Sequence, residues 1–274
     1  MPSIDVRGIR MYYEIHGEGF PFILVAGTGT HSQTWKINQV PYFSKKFKVV
    51  ILDNRGIGKS DKPDVKYSTR MFAEDLSALM DALGLERAHV LGHSMGGRIA
   101  QWLALDQPRK IEKLVLAATG SGQYVEGMQY TRGVPLNTAL SLLGKSFEEF
   151  IRGQFIDDFW YNPDFVKKSP ELMKQIEQVF MSQIPEARPY LRHVIARQEH
   201  ETTARLSEIS MPTLVIVGEN DRIRGDSTDH VDSSKVLAEK IPNAELVVIP
   251  RARHGMFWEE SSATNEAIMS FLCR

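Results

Sequence analysis

The sequence predicts an α/β protein: a mostly parallel, eight-stranded sheet flanked by helices, with a helical cap inserted late in the chain. Three observations predict it. Short apolar runs alternate with amphipathic segments over the first part of the chain and again at its end. One strand-to-helix junction reads Gly92-His93-Ser94-Met95-Gly96-Gly97. Between these stretches, over residues 121–206, the alternation stops and only helical patterns continue.

The elements follow in order. Residues 4–7 and 10–15 read as an antiparallel hairpin turning at Gly8. Phe22-Ile23-Leu24-Val25-Ala26 is continuously apolar, as a strand buried on both faces should be, and residues 47–52 form the next strand. Residues 69–83 are helical: Met71, Phe72, Leu76, Leu79, Met80 and Leu83 recur at helical spacing, and Gly84 stops the run. A strand at 88–91, the helix after Ser94 closed by Pro108, and a strand at 111–117 complete the first half. Helical patterns at 140–153 and 171–183, punctuated by Pro135, Pro163, Pro170, Pro185 and Pro189, fill the middle. Strands at 213–217 and 245–249 then alternate with helices at 233–241 and 261–272. The expected division is an α/β core over 1–120 and 208–274, with the cap at 121–207. Strand–helix alternation of this kind implies right-handed crossovers.

Composition narrows the function. The chain has 274 residues, enough for one large core with an insertion. A formal net charge of -1 gives no electrostatic case for nucleic acid or an anionic membrane. No apolar run approaches the roughly 20 residues of a membrane span. The first residues carry neither the basic flank nor the apolar core of a signal peptide. The lone cysteine, Cys273, forms no internal disulfide. A soluble, cytoplasmic protein acting on a small molecule is the expectation, with the oligomeric state left open.

The junction around Ser94 fits a nucleophile elbow: strand, sharp turn, helix, with G-x-S-x-G at the turn. The glycines let strand and helix approach closely while the serine hydroxyl stands clear of the sheet. The amide of Met95, at a helix N-terminus, is placed to stabilise an oxyanion. A glycine-rich βα turn with an idle serine is the alternative reading. A second oxyanion amide should come from Ala26-Gly27-Thr28-Gly29, with Thr28 as donor; that loop lacks the lysine and the third glycine of the common phosphate cradles.

A serine hydroxyl needs a base, and the base an orienting acid. Both should stand on loops after later strands. The loop after residue 217 offers Asp221, with Glu219 as local rival and Asp226 and Asp229 behind it. The loop after residue 249 offers His254 as base. Among the other histidines, His93 shapes the turn and His31 is close enough for a substrate contact. His16, His89, His193, His200 and His230 read as structural or solvated. The run from Asp226 to Asp232 superficially suggests a metal cluster, but it precedes a helix for which Asp232 or Ser233 makes a good N-cap, so a solvated loop is preferred and no metal is expected.

These residues resemble the α/β-hydrolase superfamily, in its serine-nucleophile branch with a helical cap, over essentially the whole length. Four motifs carry the resemblance: the Gly27 loop, the Asp53-Asn54-Arg55-Gly56-Ile57-Gly58-Lys59-Ser60 loop, the Ser94 elbow, and the Asp221 and His254 loops in the family's order of nucleophile, acid and base. The resemblance implies hydrolysis of a carboxylic ester or lactone through an acyl-enzyme, without metal or organic cofactor. It also implies that the Asp53 loop is structural. Ser94 counts against haloalkane dehalogenases and epoxide hydrolases, which use aspartate at the elbow. Carbon–carbon bond hydrolysis, a cofactor-free perhydrolase or haloperoxidase-like reaction, and a ligand receptor are the alternatives. Two departures stand out. Ala26 occupies the place of a histidine that normally braces the oxyanion loop, and the stretch between Asp221 and Ile241 is longer than typical. Cap aromatics such as Phe159 and Trp160 are candidates for lining the substrate pocket, although most cap aromatics are expected to pack cap onto core.

Overall fold

A computed structural model of the chain describes residues 2–122, 144, 146–156, 160–221 and 230–274. Strands β1 (Ser3–Val6), β2 (Ile9–His16), β3 (Pro21–Val25), β4 (Lys48–Leu52), β5 (Ala88–His93), β6 (Ile111–Ala117), β7 (Thr213–Gly218) and β8 (Ala244–Ile249) form one eight-stranded sheet in the order β1-β2-β4-β3-β5-β6-β7-β8. β2 is antiparallel to β1 and β4, and every other neighbouring pair is parallel. The expected hairpin turns at Arg7 and Gly8, with φ of 47° and 76°, a handedness that matches strand twist.

The helices are α1 (Gln39–Phe43), α2 (Thr69–Ala82), α3 (Met95–Asp106), α4 (Phe147–Ile156), α5 (Pro163–Lys168), α6 (Pro170–Met181), α7 (Ala187–Gln198), α8 (His230–Lys240), α9 (Met256–Glu259) and α10 (Ser261–Cys273). The stop signal of α2 acts as read, with Gly84 at φ +66 just past the end, and the structure adds a start that the sequence reading did not name: the Ser68 side chain accepts from the Met71 amide. Among the described residues, everything between β6 and β7 that is regular is helical. The prolines there open helices rather than interrupt them, because Pro163 and Pro170 stand in the first turn, where a missing amide hydrogen costs nothing. Of the helix expected at 140–153, residues 140–143 lie outside the described residues, and the helix seen is α4. The helix expected at 233–241 begins at His230, so Asp232 and Ser233 lie inside its first turn and neither is the N-cap. The stretch from Asp226 to Asp229 lies outside the described residues.

Side-chain alternation along the strands divides the core in two. Phe22 and Leu24 of β3 point into one cluster, with Leu91, Val115, Leu214, Ile216 and Trp35. Ile23 and Val25 point into the other, against Phe72, Leu76 and Leu79 of α2 and Ile99 and Leu103 of α3. The insert helices pack on the first face: Ile151, Phe155, Trp160, Ile176, Phe180 and Tyr190 belong to that cluster. The ends of β5, β7 and β8 therefore meet the insert from below, where Ser94, Asp221 and His254 stand. Among the described residues, no helix is long and apolar enough to cross a membrane.

Candidate active site

Ser94 follows β5 with φ 55 and ψ -120, backbone values that a non-glycine residue adopts only under constraint. Three hydrogen bonds supply the constraint. The Ser94 amide donates to the Ala117 carbonyl at 2.9 Å, and the Ser94 carbonyl accepts from the Thr119 hydroxyl at 2.7 Å and the Gly97 amide at 3.0 Å. The glycines are sterically compelled: a Cβ on Gly92 would lie 2.2 Å from the Gly96 oxygen, and one on Gly96 would lie 2.2 Å from the Val25 oxygen. Strand β3, strand β5 and helix α3 thus meet at backbone contact, and Ser94 is held at the apex. Met95 is the first residue of α3, so its amide has no partner within the helix. A Cβ on Gly27 would lie 3.1 Å from Ser94 Cβ and 3.5 Å from its Oγ, so the Gly27-Thr28 loop runs directly past the hydroxyl. Thr28 follows Gly27 in that loop, and Met95 follows Ser94 directly.

Asp221 and His254 come together as read. His254 Nδ1 lies 3.0 Å from Asp221 Oδ2 and 3.2 Å from Oδ1. Both side chains are buried. The rival Glu219 faces elsewhere, accepting from the Arg251 amide at 2.8 Å; Asp226 and Asp229 lie outside the described residues. Burial alone would push the Asp221 carboxyl up, but the charges and hydrogen bonds of the two facing imidazoles, His254 and His230, outweigh it and hold the acid well below its usual range. Burial pushes His254 down, and the Asp221 carboxylate opposes that push. With Nδ1 turned to the acid, Nε2 is the free acceptor. It is buried and has no hydrogen-bond partner among the described residues, the Ser94 hydroxyl included. Such a bond is often long before a substrate arrives.

His254 is walled by rings. His93 lies 4.7 Å from it on one side and donates from Nε2 to the His254 carbonyl at 3.2 Å. Trp160 meets it edge to face at 4.7 Å. The Trp160 carbonyl accepts from the Gly255 amide at 2.8 Å, and Glu259 accepts from the Asn162 amide at 2.6 Å and also from the Arg253 amide. The His254 loop is therefore tied to the insert by its backbone. Of the two pocket candidates, Trp160 stands at the site, and Phe159 lies outside the described residues.

Three histidines have roles that their sequence context did not signal. His230 is not solvated: it is buried, and its Nδ1 lies 3.1 Å from Asp221 Oδ1. No periodicity marks it, and only the unusual length of its segment hinted at anything. His193 of α7 donates from Nε2 to the Arg55 carbonyl at 2.7 Å, and its Nδ1 is 3.5 Å from the Gly29 amide. An imidazole from the insert thus reaches the glycine loop in which Ala26 replaces the usual bracing histidine. His31 donates from Nε2 to the Phe180 carbonyl at 3.3 Å and accepts at Nδ1 from Gln183 at 3.5 Å, so both nitrogens are engaged with the insert. His16, His89 and His200 lie away from Ser94, in a Glu14 pair, a phenylalanine cluster and a Thr69–Thr202 bridge. Asp221, His230 and His254 bring one potential ligand atom each within 4.8 Å of one another, and Nδ1 of each histidine bonds to the Asp221 carboxylate.

The Asp53 loop is structural. Asp53 accepts from the Ser32 and Lys59 amides at 2.7 and 2.9 Å, and Arg55 pairs with the buried Asp75 at 2.5 and 2.7 Å. A separate surface cleft between α2 and α3, lined by Arg70, Trp102 and Asp106, shares no residue with the Ser94 group.

A strained serine on an elbow, with an acid and a histidine on the two following loops, defines an α/β hydrolase. The chain belongs to the alpha/beta hydrolase fold family, whose pattern matches residues 21–261. It is 30% identical to a putative carbamate hydrolase RutD of Caulobacter sp. (strain K31), covering 99% of this chain and 98% of that protein. It is 29% identical to 2-hydroxy-6-oxononadienedioate/2-hydroxy-6-oxononatrienedioate hydrolase 2 of Pseudomonas putida, covering 96% and 92%. The crystal structure of the enol-lactonase from Burkholderia xenovorans LB400 superposes with a TM-score of 0.85 at 26% identity, over 100% of both chains.

Proposed function

We propose that this chain is a serine hydrolase that cleaves a carboxylic ester or lactone of a small to medium substrate through an acyl-enzyme. His254, oriented by Asp221, removes the proton of Ser94 as Oγ attacks the carbonyl carbon. The amides of Thr28 and Met95 take the developing oxyanion, each worth roughly 3 kcal/mol in the transition state. The imidazolium protonates the leaving alcohol, and a water deprotonated by His254 then releases the acid. Acyl transfer of this kind runs on side chains and backbone alone. The substrate enters between the core and a cap at 121–207, from which Trp160 meets the proposed base edge to face.

The observation that carries this reading is the division of labour on His254: Nδ1 is engaged by Asp221 while Nε2 is buried and free to accept. The test is hydrolysis of p-nitrophenyl esters from acetate to decanoate, with a lactone panel, by wild type and Ser94→Ala. Turnover lost in the variant supports the proposal, and the best acyl length sizes the pocket. A folded wild type that turns over no ester or lactone overturns it. The relatives' names favour a second reading, in which the same residues cleave a carbamate or a carbon–carbon bond; activity on those substrates alone would establish it.

A further inference from the structure

His230 reaches the same carboxylate as the proposed base. It opens α8, and its backbone amide donates to the Asp221 carbonyl at 3.2 Å. Its Nδ1 lies 3.1 Å from Asp221 Oδ1, the oxygen that is also 3.2 Å from His254 Nδ1. Its ring stacks on His254, with centroids 4.8 Å apart and planes 26° from parallel. Two imidazoles therefore share one carboxylate oxygen, and only Oδ2, 3.0 Å from Nδ1, belongs to His254 alone.

We propose that His230 is a positioning residue that takes one oxygen of Asp221 away from His254 and so sets the pH at which the base becomes available. The proposal rests on reading Ser94, His254 and Asp221 as the hydrolytic set. A carboxylate that accepts from two donors is a weaker acceptor for each. The imidazolium formed at His254 is thus less stabilised than it would be by an undivided Asp221, and it forms against a second stacked imidazole. Among the described residues, the other charged or titratable groups acting on His254 are His93, on the end of β5, and Arg197, on α7. Both His230 and Arg197 disfavour the His254 cation, and Asp221 favours it. A purely structural His230 would close the loop through its backbone amide, and the acid–base character of its ring would be immaterial.

The test compares wild type, His230→Phe and His230→Asn. Phenylalanine keeps a stacked ring and removes the donor; asparagine keeps an N–H donor near the Nδ1 position. The first readout is the titration of His254 by NMR on histidine-labelled protein, assigned with His254→Asn. In His230→Phe the His254 midpoint should rise by about one pH unit, and in His230→Asn it should stay near wild type. The second readout is the acid limb of kcat/KM, which should move upward by the same amount with the plateau kcat within about threefold. At pH 6 His230→Phe would then be several-fold less active relative to its own plateau. An unchanged or lowered His254 midpoint in His230→Phe overturns the proposal, as does an equal loss of kcat in both variants with no movement of the limb. Should His230→Phe not fold, His230→Ala gives the same comparison. The NMR arm stands without turnover: absent Ser94-dependent hydrolysis refutes the proposed reaction, whereas an unmoved His254 titration refutes the role of His230.

Discussion

Replacing His193 by phenylalanine isolates the contact between the insert and the glycine loop. The ring stays among Tyr67 and Phe72, and both polar atoms are lost. The Arg55 carbonyl, bonded at 2.7 Å, then has its donor removed in a buried setting, which costs about 1–3 kcal/mol. The Gly29 contact, at 3.5 Å, is at the limit of a hydrogen bond and adds little. A loss of about 2 kcal/mol at pH 7 follows, equivalent to roughly 4–8 °C in Tm. The pH dependence has a definite sign. Burial holds the His193 imidazole down, from its usual 6.5 to about 4, against the pull of the Arg55 carbonyl. Protonation therefore favours the unfolded chain. The stability contributed by the neutral ring is complete above pH 6.5 and falls as pH drops toward 4, by about 3 kcal/mol over that window. The variant lacks this loss. It should be the less stable protein at pH 7, equal wild type near pH 5 and be the more stable one at pH 4. Denaturant melts at the three pH values measure it. Parallel pH profiles for the two proteins would refute the assignment of a neutral, buried His193. In turnover, a relaxed glycine loop should lower kcat by roughly tenfold with little change in KM, a fraction of what one oxyanion donor supplies.

Two further substitutions probe the backbone contacts. Gly96→Ala places a Cβ 2.2 Å from the Val25 oxygen and 2.9 Å from the Ala26 oxygen, both main-chain atoms in a buried strand. It should cost more than about 3 kcal/mol, read as lost soluble yield and a lowered Tm; a variant with wild-type stability would contradict the close packing of elbow and sheet. Gly255→Ala places a Cβ 2.3 Å from the fully buried Tyr161 ring and 3.0 Å from the Trp160 carbonyl. It should push the insert off the His254 loop, destabilise by about 1–3 kcal/mol and raise KM more than it lowers kcat; an unchanged KM would separate the insert from substrate binding.

The core was legible because its signals are local. Continuous apolar runs mark β3 to β7, and the spacing of Leu76, Leu79 and Met80 marks α2. The elbow was legible because its glycines answer to main-chain sterics: no side chain fits at Gly92 or Gly96, so the motif reports the contact directly. Asp221 and His254 were legible by their places after β7 and β8. What was not legible depends on side chains meeting from distant segments. His193 reads only as structural or solvated, and nothing in its neighbours announces that it will meet Arg55, a contact made across the interface of insert and core. His230 is hidden in the same way. Its segment looked like a polar loop before a helix, because the pairing that buries it is with a residue on another element. The start of α8 was misplaced for the same reason: His230 begins the helix by anchoring to Asp221, where a sequence reading looks for a serine or aspartate cap.

This difference bears on how the site divides its tasks. Below Ser94, the contacts are backbone on backbone: Gly92 on Gly96, Gly96 on Val25, and the Ser94 carbonyl on Gly97. Such contacts fix Ser94 whatever faces it, and at Gly92 and Gly96 they leave no room for a side chain. Above it, the contacts are made by side chains and single hydrogen bonds from the insert: Trp160 on His254, Tyr161 on Gly255, His193 on the glycine loop. These can be exchanged one at a time while the elbow stays intact. A family whose members are named for carbamate, lactone and carbon–carbon cleavage fits this division, since the reacting serine can remain in place while the surface facing the substrate is rebuilt. For this chain the expected outcome is that exchanging Trp160 for alanine changes the relative kcat/KM across a substrate panel more than it changes the highest kcat in that panel; an unchanged order of preference would separate Trp160 from substrate choice.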